Sequence, residues 1–312
     1  MSLNTLRIVK QLRVAGLSLS LGLVACGGGG SIPEVLAKTE NPLPLRPAGT
    51  PDYYVVGISG KCLAVEGGYP GSCAQLSPSS LQAQDTSKNY NYLLPRGTLE
   101  GIANTIYGKG WSAAYKGYAA SLPDRINTSS GKSELHHGFQ TLEAEVMSIY
   151  KTAIQGVRNP SKIVLVAHSH GVVWSHLFTM LHPEVPVEIQ VDFDGVCLYW
   201  VTDNQGDLNA AGWGGRFSTS NICNGPRASL GGSSTDMQNI TRNNVKSNVE
   251  IQSGAYLPLN LHDSVGNRRL DGSTNGIFTE YFGTETHSKV TVPGSSGYAA
   301  ALRWTGELTP RK

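Results

Sequence analysis

In this 312-residue chain, Ala167-His168-Ser169-His170-Gly171 is the stretch whose residue types and spacing point most directly to chemistry. A neutral serine hydroxyl is a weak nucleophile. It attacks a carbonyl only with a base in hydrogen-bond reach, itself oriented by a carboxylate. The small residues at 167 and 171 would let the backbone turn sharply and lift the Ser169 hydroxyl clear of its surroundings. With glycine at 37 positions, a five-residue pattern of this kind can arise by chance, so its weight depends on the elements that would hold it.

Those elements are present. Ile163, Val164, Leu165, Val166 and Ala167 form a run that is apolar on both faces, as a parallel strand buried under helices on each side would be. Upstream, Phe139, Leu142, Val146, Ile149 and Ala153 recur at spacings of three and four, the stripe of an amphipathic helix. Gln155-Gly156 ends that stripe and Asn159-Pro160 resets the chain before the strand. Downstream, Val173, Leu177, Met180 and Leu181 make a second stripe that stops at Pro183. The order is helix, buried strand, tight turn, helix.

In this setting Ser169 resembles the nucleophile elbow of the α/β-hydrolase superfamily, in its lipase and esterase branch, with alanine in place of the first glycine. The resemblance is carried by residues 136–182 and extends more weakly to about 305. It implies an α/β-hydrolase fold, a mostly parallel sheet with helices on both faces, and a serine, acid, histidine order along the chain. His168 and His170 flank the nucleophile and cannot reach it as bases. The His170 backbone N–H would sit where the family places an oxyanion donor, and Ile58 or Ser59, in the glycine loop after the strand at 53–60, would supply another. His136 and His137 precede the serine, and His176 and His182 lie on the following helix. That points to His287 as the base, with His262 open only if the acid comes earlier. Asp263, just past a strand at 248–252, is the expected acid. Asp271 in the same loop and Asp194 after the strand at 187–193 stand as alternatives. The implied activity is cleavage of carboxylic esters through an acyl-enzyme, without a cofactor. The competing expectation is a non-catalytic envelope lipoprotein that uses the fold as a binding scaffold.

The front of the chain reads as a processing signal. Arg7, Lys10 and Arg13 precede an apolar stretch from Val14 to Val24, too short to span a bilayer. It ends in Leu23-Val24-Ala25-Cys26, which matches the bacterial lipoprotein box and predicts lipidation of Cys26. Residues 1–25 are thus expected to be a signal peptide, 26–50 a Gly/Pro tether and 51–312 the hydrolase domain. The expected place is the cell envelope, on the outer membrane in a Gram-negative host. Net charge is +2 and no Lys/Arg run is present, so no nucleic-acid partner is expected. A monomer is expected. With Cys26 set aside, Cys62, Cys73, Cys197 and Cys223 remain, an even number that in an exported chain suggests disulfides. Pairing by neighbours joins 62 to 73 and 197 to 223, and the other two pairings stay open. No His/Cys cluster has metal-ligand spacing.

Elsewhere, 99–107 reads as a helix and 111–118 as a strand. Val187, Ile189, Val191 and Phe193 alternate with Glu188, Gln190, Asp192 and Asp194, a strand with one polar face, unusual inside a covered sheet. Residues 197–248 carry Tyr199, Trp200, Trp213 and Phe217 among glycines and asparagines. They are read as a cap whose aromatics could wall an acyl site, or as a surface excursion whose aromatics pack on the core. A helix is expected around 274–282.

Overall fold

The computed structural model describes residues 43–61, 65–66, 69–70, 91–127, 133–135, 137–197, 199–219, 222–223, 237–255 and 266–312. The leader, Cys26, Cys62, Cys73, His136, His262 and Asp263 lie outside them. Six strands form the central sheet: β1 (Tyr53–Ile58), β2 (Ala113–Tyr118), β3 (Lys162–His168), β4 (Val187–Phe193), β5 (Val245–Ala255) and β6 (Ile277–Thr286). Among the described residues five α-helices accompany them: α1 (Thr98–Gly108), α2 (Phe139–Ile149), α3 (His170–Leu181), α4 (Trp200–Ala210) and α5 (Ser296–Leu308).

The strands lie in the order β6-β5-β4-β3-β1-β2, and every adjacent pair is parallel. The doubly apolar run becomes β3, and its side chains divide between two cores. Ile163, Leu165 and Ala167 meet α2 and α3, while Val164 and Val166 join the cluster of α1 and α5. Helices on both faces of a parallel sheet make this the expected α/β-hydrolase fold. After β2 the chain crosses to the other side of β1, so the strand order reverses between β1 and β3. A crevice opens at the carboxyl ends of the strands beside such a reversal. The loops carrying Gly60 and Ser169 leave β1 and β3 at that end.

Two regions differ from expectation, and one decides between two readings. β4 lies inside the sheet, and its polar face is covered rather than wet. There Asp192 accepts from His176 Nε2 at 2.9 Å, Asn248 at 2.6 Å and Asn267 at 3.0 Å, with Gln190 at 3.1 Å. A buried carboxylate is tolerable when donors saturate it in this way. Next, Trp200 and Trp213 follow the second of the two readings of this segment and pack on the core. Trp200 meets Trp174 at 4.7 Å and Trp213 meets Phe139 at 5.6 Å, both inside the core, whereas Tyr199 is exposed. Finally, residues 277–282 are strand, not helix. Ile277, Phe278, Thr279, Tyr281 and Phe282 are β-branched or aromatic, and they pair in register with β5 from Ile277↔Asn248 to Phe282↔Ser253. Helix α5 then packs on this edge, with Phe278 stacked on Trp304 at 4.2 Å. Its start is satisfied by Ser295 Oγ, which accepts from the Tyr298 N–H, and by Glu285, which accepts from Ser296 and Gly297.

Candidate active site

Strand β3 runs out at His168, and α3 starts at His170, so the whole reversal falls on Ser169. Its backbone stands at φ 57°, ψ −129°, a region costly for any residue with a Cβ. Two glycines make the turn fit. A Cβ on Gly171 would stand 2.2 Å from the Ile58 carbonyl oxygen, and one on Gly60 would stand 2.4 Å from Ser169 Cβ. The turn is pinned by Ser169 N–H donating to Phe193 O at 3.0 Å and by Val172 and Val196 donating to Ser169 O. Gly60→Ala is therefore expected to push the Ser169 side chain from its position, and to lower any ester turnover that depends on that serine by roughly 10²-fold or more. Ester-cleavage assays with a thermal melt would check it, and unchanged turnover would show that Ser169 does not depend on this contact.

His287 follows β6 directly. Its Nδ1 lies 2.5 Å from Asp194 Oδ2, with both side chains buried. Asp194 sits one residue beyond β4 at φ 51°, in the left-handed region that aspartate tolerates better than most residues. That twist turns its carboxylate back over the sheet end, where it also accepts from the Ser253 N–H at 2.7 Å and the Ser253 hydroxyl at 2.6 Å. An Nδ1–H held by a carboxylate leaves Nε2 as the basic nitrogen of the ring. The His168 ring packs at 4.5 Å from that of His287. Burial, followed by the proximity of His287, holds His168 well below the ordinary imidazole range.

The remaining expected residues separate clearly. Asp271 is exposed and caps its own turn by accepting from Ser273 N–H at 2.9 Å. Ser59 anchors a loop: its N–H donates to Tyr118 O at 2.9 Å, and its hydroxyl accepts from Tyr92 and Leu93. That N–H is therefore committed elsewhere. Ile58 is an interior strand residue, in register with Tyr118 and Ala167. His170 opens α3, where the first N–H groups of a helix lack intrahelical acceptors. Its ring Nδ1 stands 3.8 Å from Asp203 Oδ2, the same oxygen that receives Lys61 Nζ at 2.7 Å. Cys197 and Cys223 are joined in a disulfide with Cα atoms 5.3 Å apart, tying down the segment that leaves Asp194. Among the described residues no cluster of His, Cys, Asp and Glu could hold a metal ion. Sequence reasoning missed Tyr92 and Gly60. Tyr92 lies in a stretch without periodicity, and Gly60 had only its place after an apolar strand to mark it.

No family model matches the chain, and no curated protein does. Among solved structures it is similar to an arylesterase at 10% identity, over 83% of this chain and 76% of that one, with a TM-score of 0.43. A thermostable esterase from Pseudomonas putida aligns at 11% identity over 85% of this chain and 76% of that one, TM-score 0.37. A hyperthermophilic esterase from the archaeon Pyrobaculum calidifontis aligns at 15% identity over 86% and 77%, TM-score 0.37. Likeness at these identities says nothing of substrate.

Proposed function

We propose that this protein is a serine hydrolase of carboxylic esters, with Ser169 as nucleophile, His287 as base and Asp194 as the orienting acid. The observation that carries the reading is the 2.5 Å hydrogen bond from the His287 ring to the buried Asp194 carboxylate, at the same sheet end as the strained Ser169 turn. Asp194 replaces Asp263 in this reading. Ser169 Oγ attacks the ester carbonyl while His287 Nε2 takes its proton, and Asp194 stabilises the imidazolium. Backbone N–H groups at the turn, that of His170 at the start of α3 among them, steady the tetrahedral oxyanion. Collapse breaks the ester C–O bond, and the departing alkoxide receives the proton from His287. Water then repeats the cycle on the acyl-enzyme and returns Ser169 to its hydroxyl form.

A fluorophosphonate probe is expected to label the wild type at Ser169, and Ser169→Ala is expected to lose both labelling and p-nitrophenyl ester cleavage. A folded wild type that takes no label and cleaves no ester would favour a binding scaffold instead. We place the protein in the cell envelope, held by lipid on Cys26; the support is the leader and the Leu23-Val24-Ala25-Cys26 box. No helix among the described residues is long and apolar enough to cross a membrane. Cys26→Ala is expected to move the protein from the membrane fraction to the soluble one. Continued incorporation of labelled palmitate in that variant would reject the anchor.

A further inference from the structure

We propose that Tyr92 and His168 are positioning residues that set the His287 base and the Gly60 loop against Ser169; the proposal rests on the reading of the site given above. A hydrogen-bonded chain runs behind the nucleophile. Gly60 N–H donates to the Tyr92 hydroxyl oxygen at 2.8 Å, the Tyr92 hydroxyl meets His168 Nδ1, and His168 Nε2 meets the His287 carbonyl oxygen at 2.9 Å. Each donor follows from its partner. A backbone carbonyl only accepts, so Nε2 carries the proton. In a neutral ring Nδ1 then accepts, so the Tyr92 hydroxyl donates to it while its oxygen accepts from Gly60. Every group is then satisfied with His168 neutral. Tyr92 and His168 are both wholly buried, so the chain is shielded from water.

Three loops meet in this chain: the one after β1 through Gly60, the elbow through His168, and the one after β6 through His287. The arrangement fixes spacing as well as charge. When His287 accepts the Ser169 proton, a cation forms 4.5 Å from the His168 ring. A second cation there would oppose the transfer, and a neutral His168 does not. The charged and titratable groups facing His168 are His287, Asp194, Arg96 and Tyr92. Arg96 stacks on the Tyr92 ring at 4.9 Å and donates to Ser288 O at 3.2 Å, so it braces the same loop as His287.

Tyr92→Phe removes one hydroxyl from a packed site. It is expected to lower kcat about 10²-fold, as displacement of a reacting group by about 1 Å does, with KM changed by no more than about twofold. His168→Gln keeps a donor for the His287 carbonyl and is expected to retain several-fold more activity than His168→Leu. Wild-type kcat in folded Tyr92→Phe, or equal activity in the two His168 variants, would overturn the positioning role. A second measurement does not depend on those variants folding. Ring ¹⁵N shifts of the intact wild type should show His168 neutral and protonated on Nε2 between about pH 5 and 8, the range where an ordinary histidine titrates. Titration of His168 in that range would overturn the proposal. Fluorophosphonate labelling separates the two levels: a labelled wild type with fully active Tyr92→Phe sinks the positioning role alone, and an unlabelled wild type sinks the underlying reading with it.

Discussion

Asp194→Asn is expected to lower kcat by about four orders of magnitude while the protein stays folded. The carboxylate accepts from His287 Nδ1, the Ser253 N–H and the Ser253 hydroxyl. Asparagine has one accepting oxygen. If that oxygen keeps the Ser253 N–H, the amide NH2 faces His287 and forces the proton to the other ring nitrogen, where it blocks the base. Because shape and burial are kept, the melting temperature should move far less than the rate. Asp263→Asn should leave turnover near wild type. Steady-state kinetics of the two variants decide between the carboxylates, and a large loss confined to Asp263→Asn would return the acid to the loop after β5.

Ser169→Gly is expected to abolish ester cleavage, by roughly six orders of magnitude in kcat, and at the same time to make the fold more stable. The serine stands at φ 57°, ψ −129°, and strain of this kind costs of order 1–3 kcal/mol for a residue with a Cβ. Glycine removes the strain and gives back about 0.5–1 kcal/mol through the greater freedom of the unfolded chain, so a net gain of about 1 kcal/mol should remain. Ser169→Ala loses the same activity but keeps the Cβ, and so should show no such gain. Denaturant midpoints of the three proteins check this. Equal midpoints for the glycine and alanine variants would mean that the turn stores no strain.

The elbow was legible because its signals are local: a doubly apolar run, two small residues and helical stripes on both sides. His287, which meets Asp194 in the structure, stood out only by its place in the last loop. The hydrogen bond between Asp194 and His287 left no such signal, for a physical reason. Glu188, Gln190 and Asp192 alternate ahead of it as on a wetted strand, and nothing in the local pattern reveals that His176, Asn248 and Asn267 arrive from distant positions to cover that face. The residues at 277–282 misled because Ile277 and Tyr281 fall four apart, a spacing that a helix and a period-two strand both allow. Trp200 and Trp213 could not be placed from sequence, since aromatic residues suit a ligand wall and a core equally well. Tyr92 meets Gly60 and His168 through its hydroxyl, and a single phenol in an aperiodic stretch leaves no trace in a pattern.

The covered polar face of β4 also bears on how the chain avoids aggregation while it folds. A parallel sheet assembles from strands far apart in sequence, so its interior strands are exposed for a time before their neighbours dock. Most such strands are uninterrupted apolar ribbons, the kind of segment that pairs with copies of itself. In β4, Glu188 and Asp192 interrupt the ribbon on every pairing face that carries them, and two copies laid side by side would set carboxylates against carboxylates. Only the native neighbours bring the imidazole and amide donors that make Asp192 welcome. The strand thus carries charges in the middle of the sheet that would oppose pairing with its own copies, and Asp192 becomes part of the core once its native neighbours have docked.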